Sequence, residues 1–223
     1  MIRLSIAEKQ ATVRLFSNLN APAYMLSPAL LGLVTVKQVN LLLRYGNSEV
    51  APHSFMSYGF ILANILGRYG EAMEFGQLAL QLAEKFGTVG LKCKLSFVFG
   101  AYSHFCQPLT EVLSCFTRSY EAGLDSGDFL YLSYARNEAL ITRLGRGDEL
   151  DALLSETQRS LALVERTQVA LALAIHTLIR QLVHNFQGRT RSRLSLSDAT
   201  FDELDFLKQI QRAGLSLAGL CYQ

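Results

Sequence analysis

Residues 54–87 read SFMSYGFILANILGRYGEAMEFGQLALQLAEKFG, and this stretch decides the fold. It carries two helical patterns joined by a tight turn at Gly67-Arg68-Tyr69-Gly70. From Ala72 the small or apolar residues fall at 72, 75, 76, 79, 83 and 86, while Glu71, Glu74, Gln77, Gln81 and Glu84 take the other side. A period near 3.6 with one polar face predicts an amphipathic α-helix that has a stripe to bury.

The unit recurs along the chain. Turns within successive helix pairs are predicted at Gly67, at Cys106-Gln107-Pro108 and at Gly145-Arg146-Gly147, 39 residues apart. Turns between pairs fall at Asn47, Gly87 and Ser126-Gly127, 39 to 40 residues apart. Two interleaved series with one period predict an α-helical repeat. Gly67, Tyr69, Ala72, Gly76 and Ala79 also stand where the tetratricopeptide pattern places a turn glycine, a packing aromatic and close-packed small positions. The expected fold is therefore all-α, a right-handed α-solenoid of tetratricopeptide-like helix pairs forming one helical-repeat domain over residues 1–223. A period longer than the standard, roughly 34-residue unit requires longer helices or looser turns. The second helices of later pairs keep the same stripe, through Leu109, Val112, Leu113, Phe116 and Tyr120, then Leu150, Leu153, Leu154, Leu161 and Val164. Ala72 and Ala79 are expected where neighbouring helices approach.

Prolines punctuate this pattern. The first helix, 6–19, is expected to stop at Asn20-Ala21-Pro22, because the residue before a proline disfavours helical geometry. The second is expected from Ser27-Pro28 to Tyr45. A polar segment, QGRTRSRLS at 187–195, precedes Thr200-Phe201-Asp202-Glu203, a capping-box signature for a helix to about Ala213. An apolar helix expected over 215–222 would end with its stripe uncovered, which reads as a chain truncated at its C-terminus or one that self-associates there.

Half of the residues are hydrophobic and 18% are charged, enough to bury a continuous core, and a net charge of +2 is too weak to imply nucleic acid as partner. The N-terminal MIRLSIAEKQATVRLF lacks the apolar core of a signal peptide, and no window of about 18 residues is free of polar interruption, so a cytoplasmic chain without a membrane span is expected. Cys93, Cys106, Cys115 and Cys221 lie far apart with no C-x-x-C pair and read as small buried hydrophobes in a reducing compartment.

The search for chemistry assigns no catalytic, cofactor-binding or metal residue, and no cofactor. Glu71 and Glu74 share a helix face but have no base or phosphate loop beside them in sequence. His176 and His184 are eight residues apart, about 12 Å along a helix, too far to chelate one metal alone. His53 and His104 lack a ligand set at metal spacing. No G-x-x-x-x-G-K-[ST], H-E-x-x-H or G-x-S-x-G occurs, and Gly67/Gly70 and Gly145/Gly147 read as turn glycines. Arg189, Arg191 and Arg193 read as a solvated loop rather than a phosphate site. Most of the aromatics Tyr58, Phe60, Tyr69, Phe75, Phe86, Phe97, Phe99 and Tyr102 read as inter-helix packing rather than a peptide groove.

Three segments carry a resemblance to a known family: ILGRYGEAMEFGQLALQLAEKFG at 65–87, SCFTRSYEAGLDSGDFLYLSYARN at 114–137 and TFDELDFLKQI at 200–210. In this order they resemble the long helical-repeat region of large cyanobacterial-type signalling proteins that join a serine/threonine kinase domain, an AAA-like ATP-binding domain and a sensor histidine kinase. The resemblance implies a non-catalytic protein-interaction or signal-relay module whose partners are another protein or the neighbouring kinase and ATPase domains. The family's catalytic residues lie outside this region, so none is carried over. The alternative is a free-standing adaptor or the sensing arm of a transcription regulator. An enzyme with a site scattered across the array is the third class, and the missing phosphate loop weighs against it.

Overall fold

The computed structural model describes residues 7–215, and they form ten α-helices with no β-strand among the described residues. In chain order these are α1 Ala7–Leu26, α2 Pro28–Tyr45, α3 Ala51–Asn64, α4 Tyr69–Phe86, α5 Lys92–Ser103, α6 Leu109–Ser126, α7 Phe129–Arg146, α8 Leu150–Thr167, α9 Ala170–Phe186 and α10 Glu203–Arg212. A short 3-10 turn, Val89–Leu91, leads into α5. The helix expected beyond Leu215, and Cys221 within it, lie outside the described residues.

The spacing of the helix ends follows from helix length. α4, α6 and α8 are each 18 residues long. The residues that follow them, Gly87 (φ 63°), Gly127 (φ 73°) and Gln168 (φ 55°), all turn left-handed, 40 and 41 residues apart. Glycine takes that conformation freely, whereas a side chain crowds the next carbonyl. Gln168 holds it with its own amide, Nε2 donating to the Glu165 carbonyl at 2.8 Å. Gln168→Gly should relieve the crowding and raise stability by about 1 kcal/mol, read as a higher urea midpoint; a lower midpoint would show that the side-chain bond outweighs the strain.

Three local expectations are corrected. α1 does not stop before Pro22 but runs through it to Leu26. Asn20 and Ala23, on either side, are buried, and Asn20 Nδ2 donates to Ser57 Oγ at 3.1 Å and Gln38 Oε1 at 3.4 Å. Contacts with α2 and α3 thus hold the helix where local preference would end it. Tyr69 and Gly70 belong to the first turn of α4, not to the connection before it. At α10 the capping residue is Asp202, whose Oδ1 accepts from Leu204 N at 3.0 Å and Asp205 N at 3.1 Å. Glu203 turns instead to the preceding loop, accepting from Ser195 Oγ at 2.7 Å and Leu196 N at 2.6 Å.

Contacts divide the chain into two compact units, residues 1–122 and 123–223. In the first, α3 is the hub, touching α1, α2, α4 and α5. Its core gathers Leu42, Phe55, Met56, Leu82, Leu95, Phe99 and Tyr102. Tyr102 fits between α3 and α4 because Gly59 and Gly76 leave room: a Cβ on either would lie 2.8 Å or 2.2 Å from its hydroxyl oxygen. Ala72 and Ala79 are fully buried, as expected of positions where neighbouring helices approach. Ala79→Leu should therefore overpack the unit and cost about 1–3 kcal/mol; an unchanged denaturation midpoint would contradict the packing.

In the second unit α7 touches α8 and α9, and α8 touches α9. Leu140, Leu153, Leu154, Ile179 and Val183 fill the space among them. Ile210 anchors α10, packing with Leu171 and Ala174 of α9.

Candidate functional site

The polar residues that the structure does bring together lie inside the second unit. His176, on α9, is 1% exposed and sits among α7, α8 and α9. Its Nδ1 meets Asn137 Oδ1 at 3.0 Å, and its Nε2 meets the Thr157 carbonyl at 3.0 Å and Ser160 Oγ at 3.4 Å. Asn137 Nδ2 donates to the Ala172 carbonyl at 2.8 Å, which turns the amide oxygen toward His176 Nδ1, so an oxygen faces each nitrogen of the ring.

Serine, histidine and asparagine in this connectivity have the outline of a hydrolytic triad. Two observations argue for a clamp instead. Ser160 is 3% exposed and its hydroxyl donates to the Glu156 carbonyl at 2.8 Å, so the proton points away from the imidazole. Asn137 is as buried as His176, leaving no face of the cluster open to a substrate. Burial pushes the His176 pKa below its ordinary value, against the Thr157 carbonyl, while Arg136 and Arg180 add to the lowering. A ring buried among three helices, with groups of α7 and α8 at its two nitrogens, reads as a structural element.

A second buried histidine lies in the first unit. His53 is 3% exposed and its Nδ1 lies 2.8 Å from Ser17 Oγ. Burial drives its pKa down to about 3, with the Lys94 charge adding to the effect, so the ring is a poor proton acceptor. Asn20, Gln38 and Ser57 extend a polar seam among α1, α2 and α3, in which Asn20 Oδ1 and Gln38 Nε2 have no hydrogen-bond partner among the described residues.

The residues singled out from sequence scatter. Glu71 pairs with Arg68, at 2.6 Å from its Nε, and Glu74 is exposed. His184 stands apart from His176, with Nδ1 3.4 Å from Asp198 Oδ2. Arg189 lies 3.6 Å from Asp151 and Arg191 lies 3.8 Å from Asp202, so two of the three loop arginines already face carboxylates. Asn185 Nδ2 ties that loop together through Thr190 Oγ1 and the carbonyls of Ser192 and Ser195. Most of the aromatics enter inter-helix contacts, such as Tyr58 on α3 edge-on to Phe75 on α4 at 4.8 Å and Phe97 on α5 tilted against Phe116 on α6 at 6.1 Å. Tyr69, 41% exposed, stacks on Phe105 instead. Cys93 and Cys115 are buried, but Cys106 is exposed in the α5–α6 turn, correcting the expectation of a buried thiol there.

Sequence reading missed Asn137, Thr157, Ser160 and Glu138. Thr157 and Ser160 did leave a signal, because they fall at helical spacing inside the stripe that runs from Leu153 to Val164. Glu138, half-buried on α7, has its carboxyl pushed up by burial and left no such mark. One open cleft of about 290 Å³ is lined by Phe99, Gln107, Glu111, Ser114, Cys115 and Arg118. Arg118 Nη2 lies 3.2 Å from Cys115 Sγ, but the thiol is 2% exposed and no imidazole lines the cleft to serve as its base. No helix among the described residues is long and apolar enough to cross a membrane. Set against protein-family models, curated proteins and solved structures, the chain matches none.

Proposed function

We propose that this chain is a non-catalytic protein-interaction or signal-relay module, acting in the cytoplasm as the repeat region of a multidomain signalling kinase. One observation supports the reading most: within each unit a first helix touches its own second helix and the next first helix, α3 with α4 and α5, α7 with α8 and α9. Together with the 40-residue spacing of the left-handed caps, that pattern fits tetratricopeptide-like pairs stacked into a right-handed solenoid. In such an array each repeat contacts only its neighbours, so a small rearrangement at one interface adds to the next and can couple flanking domains. The buried polar clusters serve cohesion in this reading, and binding falls to surfaces.

Affinity purification from the source cells, quantified by mass spectrometry, tests it. Enrichment of a defined set of proteins carrying kinase or ATPase domains is expected, together with no nucleotide turnover by the purified chain. Turnover, or no enrichment over an unrelated helical bait, would overturn it.

A further inference from the structure

Among the described residues, the first two helices leave an apolar face uncovered. On α2, Leu30, Leu33, Val36 and Leu43 are 40%, 57%, 42% and 71% exposed, while Leu31, Val34, Gln38, Val39 and Leu42 on the opposite arc are buried. On α1, Leu15, Leu19 and Leu26 are 63%, 42% and 76% exposed, at helical spacing. Singly exposed leucines are ordinary, but two stripes on adjoining helices mark a surface that binds something. Charge narrows the choice. From Lys9 to Ser48 the chain contains no aspartate or glutamate. Of the four cations there, Lys9 lies over the Tyr45 ring and Arg14 pairs with Glu49, whereas Lys37 and Arg44 share the exposed α2 face with the leucines and meet no carboxylate among the described residues.

We infer that this α1–α2 face docks an acidic amphipathic helix of a partner protein, its apolar residues seated between the exposed leucines and its carboxylates on Lys37 and Arg44. Two other occupants fit worse. A second copy laid antiparallel on α2 would bring Lys37 against its own counterpart near the axis. An anionic lipid surface is held by clusters of about four to eight basic residues, and this face offers two.

The inference rests on the interaction-module reading, and its test separates the two. The chain has no tryptophan, so a synthetic helix of about 20 residues with a leucine stripe, glutamates beside it and one tryptophan can be followed by its own emission. Saturable binding to the full chain is expected. It should weaken about tenfold or more in Leu33→Gln/Leu43→Gln, whose exposed positions leave the fold intact by circular dichroism. A peptide with lysine in place of glutamate should fail on the natural chain and bind Lys37→Glu/Arg44→Glu, a preference that fades as salt rises. Equal binding of both peptides, binding of neither, a dimer dissolved by Leu33→Gln/Leu43→Gln, or capture on anionic vesicles lost in that variant would overturn the inference. So would affinity purification in which that variant retains the same partners as the natural chain, an outcome that leaves the interaction-module reading standing.

Discussion

Tyr102→Ala is expected to cost the first unit about 3–5 kcal/mol of unfolding free energy, the largest effect of any single truncation in that core. The Tyr102 ring is 1% exposed and occupies space that Gly59 and Gly76 leave empty. Neither glycine has a side chain that could collapse into the hole, so the cavity stays open. Its hydroxyl donates to Met56 Sδ at 3.2 Å, a weak acceptor, and burial pushes the phenol pKa up, keeping the group neutral. Tyr102→Phe should therefore cost less than about 1 kcal/mol. Gly76→Ala makes the converse test. Its Cβ would meet the Tyr102 hydroxyl oxygen at 2.2 Å and Phe99 Cδ2 at 2.5 Å, so Tyr102→Phe should rescue it only in part. Urea denaturation at pH 7 measures all four variants. A Tyr102→Ala midpoint no lower than that of Tyr102→Phe would remove the ring from the account.

Between pH 7 and pH 5 the first unit is expected to lose about 2 kcal/mol of stability through His53 alone. The unfolded chain takes up this proton near the ordinary histidine pKa of 6.5, while burial first, and Lys94 second, hold the folded ring neutral down to about pH 3. The contribution is thus fully present above about pH 6.5 and is lost as the pH falls toward 3. His176 works in the same direction in the second unit, where burial and then Arg136 and Arg180 disfavour its charge. Asp198 acts at lower pH: burial works against its charge, but bonds from Thr200, Gln181 and Phe201 hold its carboxyl below the usual range. Urea midpoints at pH 7, 6 and 5 should fall steadily for the natural chain and less steeply for His53→Gln. A flat profile in the natural chain would show that neither histidine is buried neutral.

The helices and their spacing were legible because they rest on local signals. Ser27-Pro28 opens α2 and Gly46 closes it, as expected, Gly67 takes a turn conformation, and Ala72, Gly76 and Ala79 are buried. The errors arose where distant residues outweigh neighbours. Pro22 reads as a stop until Asn20 is seen held by Gln38 and Ser57, 18 and 37 residues away. Thr200 is a different case, a choice between neighbours: Asp198, two residues before it, takes its hydroxyl at 2.9 Å, and Asp202 caps the helix instead. The His176 cluster draws on three helices and was legible only as two polar residues misplaced in the α8 stripe. The uncovered α1–α2 face is of the same kind, since a leucine repeat states that a face is apolar but not whether a neighbour covers it.

The most direct test of the central claim, that this chain relays signals within a multidomain kinase rather than doing chemistry of its own, is to sequence the genomic DNA on both sides of its reading frame. The account predicts serine/threonine kinase and AAA-like ATPase motifs upstream and sensor histidine kinase motifs downstream, continuous with this frame or separated from it by a single frameshift. Unrelated genes on both sides would contradict it.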